Sequence, residues 1–312
     1  MAPEIVERTA PGKIILCGEH SVVYGRPAIA VPVSDMCARA RVEPASEGSG
    51  LRIRAIDLRR ELHLSDNRFE DPLDKVARLV LEHLDVAEPD AILTLRSDLP
   101  IASGMGSGAA VSAAAARALA TYLGHELSPE VVSALTYEVE KIHHGTPSGI
   151  DNTVIAWEKP VYFVKGQPPE VFDIHTSFTL VIANSGIASS TREAVREVRH
   201  RWTATPSYYD VIFNCIGAIA RAARAAVEQG ALRALGTLLD ENHELLKKMG
   251  VSLPQLDALV QSAREAGAFG AKLTGSGQGG NIIALVAPET LDRVKTAVVK
   301  AGAVKVWQTS VT

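Results

Sequence analysis

The run SGMGSGAAVSAAAARALATYL at residues 103–123 constrains the fold more than any other segment. Alanine has the highest helix propensity of the amino acids, and the glycines and Ser107 that open the run are typical of a turn leading into a helix. The run therefore predicts a helix that begins near Ser107. Backbone N–H groups at such a helix start, with the positive end of the helix dipole, suit the binding of phosphates. A tight turn that Ser107 only caps is the alternative interpretation.

The chain before this run is predicted to begin with β structure. Within residues 12–43, the strand-like segments KIILCG, AIAVPV and ARARVEP alternate with turns, and AILTLR at 91–96 has the pattern of another strand. After the run, a second helix is predicted from Pro129 to His143. Val132, Leu135 and Val139 form its apolar stripe.

The C-terminal part is predicted to mix helices with hairpin-like strands. FTLVIANSG is strand-like, two or three helices are expected within 191–266, AFGAKLTGSGQGGNIIALVA predicts a strand, a glycine turn and a strand, and AVKVWQTSV predicts a last strand. The looser composition of GQPPEVFDIHTS at 166–177 indicates a boundary between two domains, 1–174 and 175–312. This irregular alternation favours an α+β fold over a doubly wound sheet.

Composition limits the class of protein. With 46% apolar residues and a formal net charge of -4, the sequence is that of a globular chain without a general nucleic-acid or anionic-membrane surface, although a local basic cleft for an anionic ligand stays possible. The three cysteines form no CxxC pair, which favours reduced thiols in the cytoplasm. No signal peptide is evident at the N-terminus, and no apolar run approaches the roughly 18 residues of a membrane-spanning helix.

Three glycine-rich segments are candidates for phosphate binding: APGKIILCGEHSVVYG, PIASGMGSGAA and KLTGSGQGG. None matches the P-loop pattern. Two match the looser dinucleotide-binding pattern, through Gly104, Gly106 and Ala109 and through Gly275, Gly277 and Gly280. Their context argues against that function, because a strand-like NIIALV follows Gly280 and a proline interrupts the segment before Gly104.

The segment KIHHGTPSGIDNT at 141–153 places the carboxylate of Asp151 between Ile150 and Asn152. Aspartate is unfavourable in an apolar setting unless a neighbour holds its charge, so this is either a solvated turn or a place where chemistry occurs. The adjacent His143 and His144 have no triad or zinc spacing around them and are predicted to be structural.

The three glycine-rich segments, in this order, resemble the three motifs of the GHMP kinase superfamily over nearly the whole chain. PGKIILCGEHSVVYG, EKIHHGTPSGIDN and SSTREAV are most similar to the mevalonate kinases within it. The resemblance implies the two-domain GHMP kinase fold, with the active site in the cleft between the domains. It also implies ATP-dependent phosphorylation of the 5-hydroxyl of mevalonate. Phosphomevalonate kinase, mevalonate 3-kinase and a non-catalytic ligand-binding relative are the alternatives.

The resemblance also implies a role for each matching residue. Asp151 would be the catalytic aspartate with Lys13 as its cationic partner, although Lys13 taken alone would more often be a solvated lysine beside a strand. Glu140 and Ser107 would bind Mg²⁺, with Glu138 as a competing candidate on a different helix face. Substrate would be bound by Lys13, Glu19, His20, Val23 and Asp151, and ATP by Pro100, Ser103, Gly104, Met105, Gly106, Ser107, Gly108, Gly275, Ser276 and Gly277.

Further expectations concern partners and departures from the motifs. His20 could hydrogen-bond either the carboxylate or a hydroxyl of the substrate. Gly108 stands where the family has a serine that binds magnesium, and Ser276 and Gln278 stand where alanine and glycine are frequent. Mevalonate, ATP and Mg²⁺ are the expected ligands, and a cytoplasmic homodimer without nucleic-acid or membrane partners is the expected state.

Overall fold

The computed structural model describes residues 4–66, 70–100, 103–144 and 147–312, and for His143 and His144 it describes the backbone only. The predicted structural role of these two histidines therefore lies outside the described residues. So do Gly145 and Thr146 of the predicted turn before Asp151.

Helices and strands follow one another irregularly along the chain. In order, they are β1 Val6–Cys17, β2 Ala28–Pro44, β3 Leu51–Ala55, β4 Arg60–His63, α1 Pro72–Leu84, β5 Ala91–Ser97, α2 Ser107–Tyr122, α3 Pro129–His144, α4 Ile150–Trp157, β6 Val161–Phe163, β7 Glu170–Val171, β8 Phe178–Asn184, α5 Thr191–Ala204, α6 Pro206–Glu228, α7 Leu232–Met249, α8 Pro254–Glu265, β9 Gly270–Thr274, β10 Asn281–Val286, α9 Leu291–Lys300 and β11 Lys305–Val311. Short 3-10 helices cover Ser21–Tyr24 and Leu64–Asp66.

The chain folds into two compact units that interleave along the sequence. The first takes its described residues from 1–12, 36–101 and 106–158, and the second from 13–35, 102–105 and 159–312. The predicted division at residue 174 stays a prediction, because these units follow spatial contacts rather than chain order.

The first unit is built around α2. Its alanines are buried, and α2 packs against α1, α3, α4 and β5. In the sheet, β5 pairs with β3 in parallel and with residues 38–44 of β2 in antiparallel register, from Ala38 opposite Ser97 to Pro44 opposite Ala91. Small side chains on α2 let three helices and a strand approach one another closely.

The second unit contains an antiparallel sheet in the order β11–β8–β10–β9. Helices α6, α7, α8 and α9 supply the core beside it, which includes Phe213, Leu246, Leu256 and Ile282. Residues 28–30 of β2 pair with β6, which pairs with β7. The side chains that fill this core come from both sheet and helices, as in other layered α+β folds.

Most predicted elements are confirmed, with three corrections. The strands at 91–96, 178–184, 270–274, 281–286 and 305–311 and the helices from Ser107 and Pro129 are present. AIAVPV and ARARVEP belong to one strand, β2, that changes its pairing partner where a turn was predicted. Residues 191–266, all described, hold four helices and not two or three. Asp151 lies in helix α4, which was not predicted.

Candidate active site

The second glycine-rich segment forms a turn that leads into α2. Gly104 and Gly106 have left-handed backbones, with φ of 79° and 71°, a conformation that favours glycine. Gly106 is the N-cap residue of α2, and its carbonyl accepts the bond from Ala110 N at 2.9 Å. Ser107 and Gly108 are therefore the first two residues of the helix. The N–H groups of this first turn have no acceptor within the helix, which leaves them available to an anion.

The beginning of this segment lies beside the third glycine-rich segment in the second unit. Asn281 Nδ2 donates to Ser103 O at 2.8 Å, and a Cβ on Gly275 would lie 3.9 Å from Gly104 Cα. The first segment joins them, since Lys13 N donates to Met105 O at 3.0 Å. Parts of all three glycine-rich segments thus come together within one unit.

The turn between β9 and β10 is contacted by Val251 and by side chains in and just before α5. A Cβ on Gly277 would lie 2.1 Å from Val251 O, so only glycine fits this position. Ser189 Oγ lies 2.8 Å from Ser276 Oγ and donates to Gly277 O at 2.6 Å. Gln278 has φ of 55° and donates from Nε2 to Glu197 Oε2 at 2.7 Å. The two departures from the motif, Ser276 and Gln278, therefore contribute side-chain bonds toward α5. The turn connects the antiparallel strands β9 and β10 and does not lead into a helix, which agrees with the argument against dinucleotide binding.

Lys13, Glu19 and His20 are buried, and Val23 is half-buried in the 3-10 helix Ser21–Tyr24. Glu19 forms an ion pair with Lys272 in which both side chains are fully buried. His20 Nε2 lies 2.8 Å from Ser276 O. Burial lowers the pKa of His20 to about 4, and the bond to this carbonyl opposes the effect. The imidazole is therefore neutral at pH 7.

Asp151 is the second residue of α4 and is half-buried. A carboxylate is favourable at this position, because it lies near the positive end of the helix dipole. Next to it, Asn152 Nδ2 donates to Ser133 O at 3.2 Å and to Ser133 Oγ at 2.8 Å. Asn152 thereby fixes the start of α4 against α3.

Glu140 and Glu138 leave α3 on different faces, as predicted. Glu140 is 5% exposed, whereas the side chain of Glu138 is 46% exposed and pairs with Lys141 at 2.6 Å. A buried carboxylate with hard oxygen donors fits a divalent cation such as Mg²⁺, and Ser107 could add a hydroxyl. Within the described parts of the chain, no cluster of three or more His, Cys, Asp or Glu side chains is placed to hold a metal.

The structure thus distributes the predicted residues over both units. Lys13, Glu19, His20, Val23, Ser103, Gly104, Met105, Gly275, Ser276 and Gly277 belong to the second unit, and Pro100, Gly106, Ser107, Gly108, Glu140 and Asp151 belong to the first. Their roles in binding and catalysis stay predictions. Sequence reasoning missed Lys272, Asn152, Ser189 and Glu197, although a lysine inside the strand-like GAKLT was a visible signal.

Comparison with known proteins identifies the family. Models of the GHMP kinases N terminal domain and the GHMP kinases C terminal match residues 72–158 and 223–304. The chain is 37% identical over 313 residues to the mevalonate kinase of Thermococcus sibiricus, covering 94% of this chain and 92% of the relative. The chain belongs to the mevalonate kinase family of the GHMP kinases. Another similar member of this family is the mevalonate kinase of Pyrococcus abyssi, 36% identical with 96% and 94% covered.

Solved mevalonate kinase structures have the same fold. The Methanococcus jannaschii mevalonate kinase superimposes with a TM-score of 0.86 at 26% identity, covering 100% of this chain and 98% of the other. The L. major mevalonate kinase in complex with R-mevalonate gives a TM-score of 0.84 at 29% identity, with 98% and 95% covered. The chain therefore has the α+β GHMP kinase fold. Among the residues that the structure describes, no helix combines the length and apolar character needed to cross a membrane.

Proposed function

We propose that this protein transfers the γ-phosphoryl group of ATP to the 5-hydroxyl of mevalonate. The observation that carries the proposal is Asp151, a half-buried carboxylate in the first turn of α4, in a member of the mevalonate kinase family. A carboxylate in such a position can accept or orient the proton of an attacking hydroxyl.

The remaining residues supply binding and charge. N–H groups of residues 104–108 would hold the triphosphate, and the glycine turn at 275–277 would also contact it. The positive charge of Lys13 would stabilise the negative charge that develops near the reacting oxygen during phosphoryl transfer. A carboxylate strongly paired with a cation is a weak base, so polarisation of the hydroxyl by Lys13 itself is an open variant.

A kinase family that acts on ATP implies a divalent metal ion. We assign Mg²⁺ to Glu140 and Ser107 because the buried carboxylate and the hydroxyl are hard oxygen donors. The bound ion would neutralise phosphate charge. Gly108 provides no hydroxyl, and water can replace one because Mg²⁺ usually keeps several waters.

Replacement of Asp151 by asparagine tests the proposal. Asp151→Asn keeps the size of the side chain but removes the basic carboxylate, so kcat should fall by about two to four orders of magnitude while ATP affinity stays near wild type. ADP release with mevalonate gives kcat, and nucleotide titration gives the affinity. Asp173→Asn, at an exposed position, is the matched control. Turnover like that of wild type in Asp151→Asn would remove this residue from the mechanism.

A substrate panel separates the proposal from its alternatives. ADP release should be fastest with mevalonate when mevalonate, phosphomevalonate, homoserine and galactose are compared, and the product should be the 5-phosphate. Nucleotide binding without ADP release on any of them would identify a binding relative instead. From the family resemblance alone we also propose a cytoplasmic homodimer, for which light scattering gives the mass.

A further inference from the structure

The fully buried ion pair of Glu19 and Lys272 is not explained by the proposed chemistry. Lys272 lies in the middle of β9, and its Nζ donates to Glu19 Oε1 and, at 2.5 Å, to Leu273 O. The other carboxylate oxygen, Glu19 Oε2, is buried and has no hydrogen-bond partner in the described structure. A pair that served stability alone would satisfy both oxygens, because an unpaired buried acceptor is unfavourable.

The pair joins β9 to a short loop whose backbone is unusual. Gly18 has φ of 104°, and a Cβ there would lie 2.4 Å from Ala28 Cα. His20 has φ of 59° and ψ of -48°, and Ser21 N donates back to Glu19 O at 2.6 Å. A non-glycine residue keeps such a conformation only when its surroundings hold it. Glu19, between these two residues, is the side chain that ties the loop to β9.

The ring of His20 is fixed by the same arrangement. Ser276 O can only accept, so His20 Nε2 at 2.8 Å carries the hydrogen. Because burial keeps the imidazole neutral at pH 7, Nδ1 carries a lone pair and no hydrogen. His20 can therefore accept a hydrogen bond from a ligand and cannot donate one from Nδ1. This geometry decides between the two substrate groups that the sequence left open, because a carboxylate also has no hydrogen to give.

We propose that Lys272 is a positioning residue for substrate recognition: through Glu19 it holds the His20 ring on the Ser276 carbonyl, so that Nδ1 accepts a hydrogen bond from the tertiary 3-hydroxyl of mevalonate. This inference rests on the proposed function. Mevalonate offers one carboxylate and two hydroxyls, and the 5-hydroxyl is the group assigned to Asp151. The 3-hydroxyl is the donor that remains for Nδ1.

The first test observes the His20 ring in the free enzyme and needs no turnover. Two-bond ¹H–¹⁵N spectra of ¹⁵N-histidine protein should show a neutral ring protonated at Nε2 that is absent from His20→Asn. In Lys272→Met this signal should shift toward a mixture of both tautomers. Val260→Ala, a core truncation in α8, is the control for destabilisation alone and should keep the signal. An unchanged His20 signal in Lys272→Met would overturn the proposal.

The second test compares mevalonate with its 3-deoxy analogue, 5-hydroxy-3-methylpentanoate. Wild type should show a KM about tenfold higher for the analogue, the usual effect of one lost hydrogen bond, with kcat changed little. Lys272→Met should raise the KM for mevalonate to the value for the analogue, so that the two substrates become equal. Val260→Ala should discriminate between them as wild type does. If Lys272→Met also discriminates as wild type does, the proposal is wrong.

A charge-balanced double variant keeps the test valid if Lys272→Met does not fold. Glu19→Gln combined with Lys272→Met removes the buried charges together, so the melting temperature should recover relative to either single variant. The KM for mevalonate should nevertheless stay high. Recovery of both quantities would show that the pair only stabilises the fold and would overturn the positioning role. If the wild-type enzyme shows no activity on mevalonate, the proposed function is wrong. The spectra of the free enzyme would still test whether Lys272 positions the His20 ring.

Discussion

Glu140 and Glu138, two residues apart on α3, allow a direct test of the metal assignment. Glu140→Gln keeps the shape of a buried side chain but removes its charge, so the Mg²⁺ concentration needed for half-maximal rate should rise about tenfold or more. ATP affinity should weaken only when the metal is present. Activity against Mg²⁺ concentration and calorimetric titration of ATP with and without Mg²⁺ measure both effects.

Glu138→Gln is the matched control for this prediction. It removes an exposed ion pair with Lys141, which contributes little to stability, and should leave the magnesium dependence unchanged. If the two variants respond alike, Glu140 does not bind the metal.

At the residue scale, the sequence could single out Asp151, because a carboxylate in an apolar segment is conspicuous. Glu140 was selected by the resemblance to the GHMP kinases, and the roles of both residues stay predictions. Lys272 could not be paired with Glu19, because 253 positions separate them and only the fold brings them together. Nor could the tautomer of His20 be deduced, since it depends on the carbonyl that the ring contacts.

At the element scale, the close contact of α7 with β9 yields a prediction about stability. A Cβ on Gly236 would lie 2.2 Å from Phe269 O and 2.4 Å from Phe269 C. Glycine to alanine inside a helix normally gains up to about 1 kcal/mol, but a clash with backbone atoms cannot be relieved by a rotamer change. Gly236→Ala should therefore lower the free energy of unfolding by about 1–3 kcal/mol, measured by urea denaturation.

Thr237→Ala is the neighbouring control on the same helix. Thr237 is exposed, and its hydroxyl donates to the Arg233 carbonyl of its own helix at 3.2 Å. Its replacement should change stability by less than about 0.5 kcal/mol. A Gly236→Ala protein as stable as this control would show that α7 and β9 can separate without loss.

Elements with a strong local signal were predictable, and elements defined by their neighbours were not. The alanine run gave α2, and the apolar stripe of Val132, Leu135 and Val139 gave α3. Helix α4 was missed because the segment before Asp151 was interpreted as a turn, whereas Gly149 in that segment is the N-cap residue of the helix. The continuity of β2 was missed because local sequence does not show that one strand can pair with β6 at its beginning and with β5 at its end.

At the scale of the whole molecule, the chain order does not reveal the division into units. Residues 13–35 and 102–105 come from the N-terminal half but belong to the same unit as 159–312. Local composition indicates where a linker is polar, yet it carries no information about which distant strands pair. The α+β class was therefore predictable from the order of elements, whereas the interleaving required the contacts themselves.

The pH dependence of global stability follows from two buried histidines. Burial lowers the pKa of His243 to about 4, with Arg264 and Lys272 acting in the same direction and Asp257 and Glu244 opposing it, and burial lowers the pKa of His20 to about 4. Leu273 N donates to His243 Nδ1 at 3.3 Å, and His243 Nε2 lies 3.1 Å from Asp257 Oδ1, so the folded ring has no place for a second proton.

The unfolded chain binds protons to these histidines near pH 6.5, and the folded protein does not do so until about pH 4. Stability should therefore fall as the pH decreases between these values, by up to about 3 kcal/mol for each histidine, and the loss should level off below pH 4. His243→Gln should be less stable at pH 7 but should show a flatter pH dependence, measured by urea denaturation from pH 7 to 4.5. Exposed His125→Gln is the control and should follow wild type. Parallel curves for wild type and His243→Gln would contradict the prediction, because the carboxylates are common to both proteins and their contribution cancels in the comparison.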